Sequence, residues 1–239
     1  MDNIALLNKM ISQSKKIVFF GGAGVSTESG IKDFRSADGI YNMEYKFSPE
    51  EVLSHSFYEK YTEDFYDFYR QYLCFPDAKP NKAHYKLAEL EKEGKLKAII
   101  TQNVDGLHQS AGNKNVFELH GSASRNYCVK CGKFYDFDSV YKSKGIPKCE
   151  CGGIIKPDVV LYEESLNDKV IKGAIDAIAH ADMLIVAGTS LRVYPAAGFI
   201  NYFRGKHFVL INKDETNVDS EFGLVIHDKV GEVLDKIIL

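Results

Sequence analysis

Five short apolar runs in this chain each end in small or polar residues. Ile17 to Phe20 leads into Gly21-Gly22-Ala23-Gly24, Lys97 to Ile100 into Thr101-Gln102-Asn103, and Val116 to Leu119 into His120-Gly121. Met183 to Ala187 leads into Gly188-Thr189-Ser190, and Phe208 to Leu210 into Ile211-Asn212. Runs this short and this apolar read as strands buried on both faces. Between them lie stretches of helical period. Ile4, Leu7, Met10 and Ile11 predict an amphipathic N-terminal helix, and Asn81 to Gly94 predicts a helix stopped by its glycine. Phe57 to Phe75 carries aromatics three or four apart, which predicts one helix whose aromatic face is core or lines a pocket. Strands alternating with helices predict an α/β fold: a Rossmann-like parallel sheet with helices on both faces. In such sheets ligands bind beyond the carboxyl ends of the strands, so the five polar endings are expected to share one crevice.

Charge and hydropathy close off other classes. A net charge of −3 gives no basis for general nucleic-acid or anionic-membrane binding. No apolar run reaches the roughly 18 to 20 residues that span a bilayer. MDNIALLNKMISQSKK is too short in apolar core for a signal peptide, so a cytoplasmic location is expected.

Four of the five cysteines fall between positions 128 and 151. Cys128 and Cys131 form a C-x-x-C pair, and Cys149 and Cys151 a tighter C-x-C pair. Glycines follow both pairs (Gly132; Gly152 and Gly153) and permit the sharp turns a metal needs. Four thiolates leave no open coordination position, so one structural Zn2+ on Cys128, Cys131, Cys149 and Cys151 is expected, the second pair being tighter than the usual C-x-x-C. Cys74 reads as an inert core thiol. Between Arg125 and Cys151 six basic residues face three acidic ones, a weak excess that favours a scaffold over a nucleic-acid ribbon.

The glycine turn after the first strand suits a pyrophosphate, whose oxygens backbone N–H groups and a helix N-terminus can hold. Yet Thr27 stands where a G-x-G-x-x-G motif has its third glycine. An ordinary dehydrogenase also places an acidic residue about 20 positions on, at a strand end, to hold the ribose. Here that distance falls on Tyr41, Asn42 and Glu44, in a segment without strand pattern. Hydride transfer is correspondingly weakened.

GAGVSTESGIKDFR, TQNVDGLH, the His-Gly after VFEL, the four cysteines, KPDVV, GTSLRVYP and the Ile-Asn of VLIN occur in a fixed order from about residue 4 to 235. Together they resemble the sirtuins, NAD-dependent protein-lysine deacylases. The resemblance implies a Rossmann-like NAD-binding domain from 1–40, 76–121 and 157–239. A smaller domain would form from a helical insertion at 41–75 and a zinc-binding insertion at 122–156. It implies NAD as co-substrate and an acetylated lysine in a protein or peptide as partner. No nucleic acid, no membrane and a monomer are expected. Nicotinamide leaves the ribose, the acyl oxygen attacks to give an alkylimidate, and a ribose hydroxyl captures the acyl carbon, yielding O-acetyl-ADP-ribose.

By the same resemblance His120 is the base, its ordinary pKa near 6.5 suiting proton transfer at neutral pH. Asn103 supports the cleavage step. Asp105, with the backbone of Val104 and Ile31, binds nicotinamide, and Gln102 contacts ribose. Ala23, Gly24 and Thr27 lie against NAD, Arg35 reaches the phosphates, Asp33 holds the loop and Phe34 covers the ribose against water. Gly188, Thr189, Ser190, Asn212, Lys229 and Val230 take the adenosine half. The acyl-lysine enters beside Val159, Val160, Leu161 and Tyr162, as a strand added to exposed backbone, with Val193 on the other side. Many relatives carry Phe-Gly-Glu where this chain has Tyr162-Glu163-Glu164, which leaves the peptide preference open. Members that prefer acidic acyl groups carry Tyr-x-x-Arg in the helical insertion. Here Tyr66-Asp67-Phe68-Tyr69 stands there, with Arg70 one position and about 100° away on a helix. Acetyl or a longer neutral acyl group is favoured, and mono-ADP-ribosyl transfer is the alternative enzyme reading.

Overall fold

Side chains alternating along the buried strands decide the layers. Ile17, Phe19, Ile99, Ile185 and Val209 project to one face, and Val18, Phe20, Ile100, Leu184 and Leu210 to the other. The computed structural model describes residues 2–36, 39–42 and 45–239, so Glu44 lies outside the described residues. Its strands are β1 Ile17–Gly21, β2 Leu96–Thr101, β3 Val116–Glu118, β4 Gly121–Cys128, β5 Phe134–Asp136, β6 Ile155–Val159, β7 Met183–Ala187, β8 His207–Ile211 and β9 Leu224–Ile226. Its helices are α1 Asn3–Gln13, α2 Pro49–Val52, α3 His55–Lys60, α4 Thr62–Tyr72, α5 Lys82–Lys92, α6 Leu107–Ser110, α7 Phe137–Tyr141, α8 Asp168–Ala179 and α9 Val230–Asp235. Six strands form a parallel sheet in the order β3-β2-β1-β7-β8-β9. One face is covered by α1, α5 and α9 through Leu7, Ile11, Leu87, Leu90, Val233 and Leu234. On the other lie Ala174 and Ile178 of α8, with Phe199 and Ile200 from a short 3-10 segment. Among the described residues no helix is long and apolar enough to cross a membrane.

A second core lies outside this sheet. Phe57, Phe65, Tyr66, Phe68 and Tyr69 pack with Val52, Ala123, Val140, Ile155 and Leu161 over the antiparallel sheet β5-β4-β6. The aromatic face is therefore core, and Tyr66 donates its hydroxyl proton to the Ile155 carbonyl at 2.7 Å. The single helix expected over Phe57 to Phe75 is two, α3 and α4, parted at Tyr61, whose φ of −128° and ψ of 51° leave the helical region. The Thr62 hydroxyl donates to the Tyr58 carbonyl at 2.8 Å, taking the acceptor that helix continuation would give the Thr62 N–H.

His120 also sits differently from expectation. The third apolar run ends as β3 at Glu118, and His120 occupies the turn before β4. Gly121 makes that turn at a φ of +76°, where a Cβ would fall 1.9 Å from the Asp158 carbonyl oxygen. Only glycine fits there.

Candidate active site

Strand order reverses between β1 and β7, where a doubly wound sheet opens a crevice. Two glycines bring its walls together. Gly24 N–H donates to the Gly188 carbonyl at 2.8 Å. A Cβ on Gly24 would meet Gly188 Cα at 2.7 Å, and one on Gly188, at a φ of +57°, would meet Val25 N at 2.4 Å. The backbone of the Ala23 to Thr27 turn is thus held against the Gly188-Thr189-Ser190 turn.

The loop after β2 meets this floor. Gln102 donates from Nε2 to Thr189 Oγ1 at 3.0 Å, and the Gln102 N–H to the Gly21 carbonyl at 3.0 Å. Asn103 Nδ2 donates to Ser26 Oγ at 3.1 Å, and the Ser26 hydroxyl donates to Asp105 Oδ2 at 2.6 Å. Asp105 Oδ1 accepts the Leu107 N–H at 2.9 Å, so one carboxylate both holds the loop entering α6 and anchors the serine. Ser26, fully buried, is the member sequence reasoning missed. Its sole signal was its place inside the glycine motif.

His120 closes the group. Its Nδ1–H donates to the Gln102 carbonyl at 2.9 Å, which fixes the tautomer and leaves Nε2 as an acceptor. Burial lowers its pKa below the usual 6.5, and the bond to Gln102 opposes that with smaller effect. The imidazole is therefore neutral at physiological pH. Across the crevice Asp33 Oδ1 accepts the N–H groups of Arg35 and Ser36 at 2.9 and 2.7 Å, tightening the loop that carries Phe34. Phe34 packs edge-on to Tyr41 at 5.7 Å, and the Arg35 guanidinium lies 4.8 Å from the same ring's centre. Ile31 is buried beside this loop, and Val104 accepts the Ala123 N–H at 2.9 Å. At the far end Asn212 N–H donates to the Ile226 carbonyl at 3.1 Å, while Lys229 and Val230 begin α9. Glu28 of the glycine loop accepts the Gly231 N–H at 2.6 Å, tying α9 to the loop.

Two histidines back the cluster. His84 and His108 are 0% and 1% exposed, with ring centres 4.8 Å apart. His84 Nδ1 accepts the Asn81 N–H at 3.2 Å, so its proton sits on Nε2. Burial lowers the His84 pKa to about 4, against a smaller opposing effect of Asp105. Burial, then the neighbouring His84, lowers His108 to about 3. In the unfolded chain both protonate near 6.5, while the folded state resists until far lower. Their contribution is therefore complete above pH 6.5 and lost on acidification toward pH 4 and 3. His55, whose pKa is raised by its Glu164 partner, is protonated in both states below 6.5 and does not mask this. From these two rings urea unfolding should show stability falling between pH 6 and 5 by about 2.7 kcal/mol per pH unit, the slope for two protons, and His120 and His207, whose pKa values burial also lowers, add to it. A flat profile over that interval, or one unaltered in His108→Leu, would overturn the account.

The four cysteine Sγ atoms all lie within 4.8 Å of one another. Cys128 and Cys151 stand 3.5 Å apart, and Cys131 and Cys149 3.6 Å. Zn–S bonds of about 2.3 Å set tetrahedral edges of about 3.8 Å, so both members of the tight pair fit a Zn2+. Gly132 and Gly152 make their turns at φ of +71° and +80°. The expected peptide segment follows β6, an outer strand of the small sheet. There Val160 N–H donates to the His120 carbonyl at 3.0 Å, which places the segment directly beside the histidine. The Tyr162 N–H is taken by the Leu53 carbonyl at 2.9 Å. Val193 is half-buried in the loop after β7.

A family model described as the Sir2 family matches residues 22–195. The chain belongs to that family. This Sir2 family member is 63% identical to an NAD-dependent protein deacetylase of Clostridium perfringens over 241 residues, 99% of each chain. It is 59% identical to a protein of the same name in Clostridium acetobutylicum, covering 100% of this chain and 99% of that one. Among solved structures it resembles one described as the structural basis for the mechanism and regulation of Sir2 enzymes, with TM-score 0.89 and 41% identity over 99% of this chain and 96% of that chain. A Sir2 histidine-to-alanine variant with deacetylated p53 peptide and 3′-O-acetyl-ADP-ribose aligns with TM-score 0.90 and 38% identity, over 98% and 96% of the chains.

Proposed function

We infer that this Sir2 family member is an NAD-dependent protein-lysine deacetylase, which releases nicotinamide and passes the acetyl group to ADP-ribose. The observation that carries the reading is the seat of His120. Its Nδ1–H is committed to Gln102, its Nε2 is left to accept a proton, and its own carbonyl holds Val160 of the expected peptide segment. One residue thereby adjoins both the nucleotide crevice and the path of the acyl-lysine.

Bound NAD supplies an electrophilic ribose carbon and the hydroxyls that take up the acyl group. Ala23, Gly24 and Thr27 lie against the cofactor with Arg35 beside its phosphates, and Gly188, Thr189, Ser190, Asn212, Lys229 and Val230 receive the adenosine half. Asp105 with Ser26, Val104 and Ile31 receives the nicotinamide amide, and Gln102 and Asn103 orient the ribose. His120 Nε2 takes the proton of a ribose hydroxyl, and Phe34 keeps water from the exposed carbon. Val159, Val160, Leu161, Tyr162 and Val193 flank the lysine stem. Zn2+ on Cys128, Cys131, Cys149 and Cys151 holds the small sheet. A division into 1–40, 76–121 and 157–239 against 41–75 and 122–156 is part of the reading; the second core also draws in Ile40, Val159 and Leu161, so the small domain's packing runs past those bounds.

A neutral acyl group suits the site. Arg70 is committed to Gly145 O at 2.9 Å, Ser143 Oγ at 3.2 Å and Asp67 at 2.8 Å, and Tyr66 and Tyr69 are core. A cytoplasmic monomer without nucleic-acid partner completes the reading. Nicotinamide release from NAD, measured with and without an acetyl-lysine peptide, tests it. Peptide-dependent release in step with O-acetyl-ADP-ribose is expected. Release that ignores the peptide would point to ADP-ribosyl transfer instead, and absence of release would overturn the assignment.

A further inference from the structure

The backbone after β6 is pinned unusually firmly to the helical insertion. Tyr162 is bonded through both its N–H and its carbonyl, to the Leu53 carbonyl at 2.9 Å and the His55 N–H at 3.0 Å. Glu163, at a φ of +75°, accepts from Ser56 N–H at 2.8 Å and Ser56 Oγ at 2.9 Å. Glu164 accepts the Leu161 N–H at 2.9 Å and Lys156 Nζ at 3.2 Å, and pairs with His55 Nδ1 at 2.8 Å. A residue held on both sides in this way has little freedom in its Cα–Cβ direction. The Tyr162 hydroxyl meets the Tyr41 hydroxyl at 3.2 Å.

Tyr41 belongs to the other wall. Its N–H donates to the Phe34 carbonyl at 2.9 Å, and its ring carries the edge of Phe34 and the guanidinium of Arg35. Each hydroxyl can donate or accept, so the Tyr41–Tyr162 pair is satisfied in either sense. A phenylalanine at position 162, as in the Phe-Gly-Glu of many relatives, could not make this bond.

We propose that the Tyr162 hydroxyl is a positioning contact that couples the acyl-lysine segment to the loop bearing Phe34 and Arg35, so that filling one site sets the geometry of the other. The inference rests on the deacetylase reading for which ligands occupy the two sites. Tyr162 reaches the reaction through Tyr41 and Phe34, which is why its effect should lie in coupling rather than in a lost chemical step.

The test uses Tyr162→Phe, Tyr41→Phe and the double variant, each conserving the ring. Calorimetric titration of ADP-ribose, alone and with saturating acetyl-lysine peptide, needs no turnover. Wild type should bind ADP-ribose about 3- to 10-fold more tightly with peptide present, the range one hydrogen bond commands. Tyr162→Phe should abolish that tightening. The double variant should be no worse than either single, because the two share one bond. In turnover the single variants should raise KM for NAD by the same factor, with unfolding midpoints near wild type. No tightening in wild type, equal tightening in Tyr162→Phe, or additive losses in the double variant would each overturn the proposal. Loss of peptide-dependent nicotinamide release in wild type would instead strike the deacetylase reading, and the calorimetric coupling would still decide the contact.

Discussion

His120→Ala is expected to lose about 10²- to 10⁴-fold of deacetylation, the range over which a positioned base accelerates proton transfer. Zinc content should be unaltered. The side chain is already oriented, since its Nδ1 proton is engaged by the Gln102 carbonyl and only Nε2 is available for substrate. Its pKa is lowered by burial, so the base is unprotonated at neutral pH and activity should decline only on the acid side, below the usual 6.5. Single-turnover transfer of labelled acetyl to ADP-ribose, followed from pH 5 to 8, checks both statements. Wild-type rates in the variant, or an acid limb that survives without the imidazole, would remove His120 from the mechanism.

The second large effect concerns the metal. Cys149→Ser and Cys151→Ser, made separately, should each lower zinc below one per chain and cut the unfolding midpoint. A ligand at a thousandfold excess over its Kd stabilises by about 4 kcal/mol. For a chain of this size that corresponds to roughly 8 to 16 °C. Deacetylation should fall with it, although the thiolates touch no substrate. β4 runs from Gly121, next to His120, to Cys128, paired with β6 at both ends, Gly121 with Val159 and Cys128 with Ile155, across an irregularity between Ser122 and Asn126. Loosening the zinc end therefore loosens the turn that aims the imidazole. Mass spectrometry under native conditions and a thermal scan decide it. A variant of either cysteine that keeps one zinc and its midpoint would reduce the site to three thiolates.

The parallel sheet and its crevice were readable in advance because strands covered on both faces must be apolar throughout, whereas their ends need not be. The zinc cluster was readable because its ligands are close in sequence. Ser26 was not. Its partners Asp105 and Asn103 lie some eighty positions away, and a serine in a glycine turn looks like any turn residue. His84 and His108 likewise show their pairing only once α5 and α6 pack together. The break at Tyr61 followed from a side-chain hydroxyl competing for a backbone carbonyl, which helical periodicity does not register. The Glu163 and Glu164 bonds to Ser56 and His55 join segments about a hundred residues apart, and no local pattern encodes such a match.

The chain enters the small sheet at Gly121 and leaves it at Val159, and those two residues are direct partners across the β4–β6 ladder. From the large sheet's side, everything between them is a closed loop whose ends already touch. The entropy of closing such a loop grows only with the logarithm of its length, each doubling adding about 0.6 kcal/mol. Changes of length at the exposed turns of that excursion can thus accumulate over generations at small thermodynamic cost, provided the two abutting ends, the four cysteines and the buried residues of the second core are kept. Sequence drift at the metal-bearing tip and sequence drift around the nucleotide crevice are free to proceed at different rates.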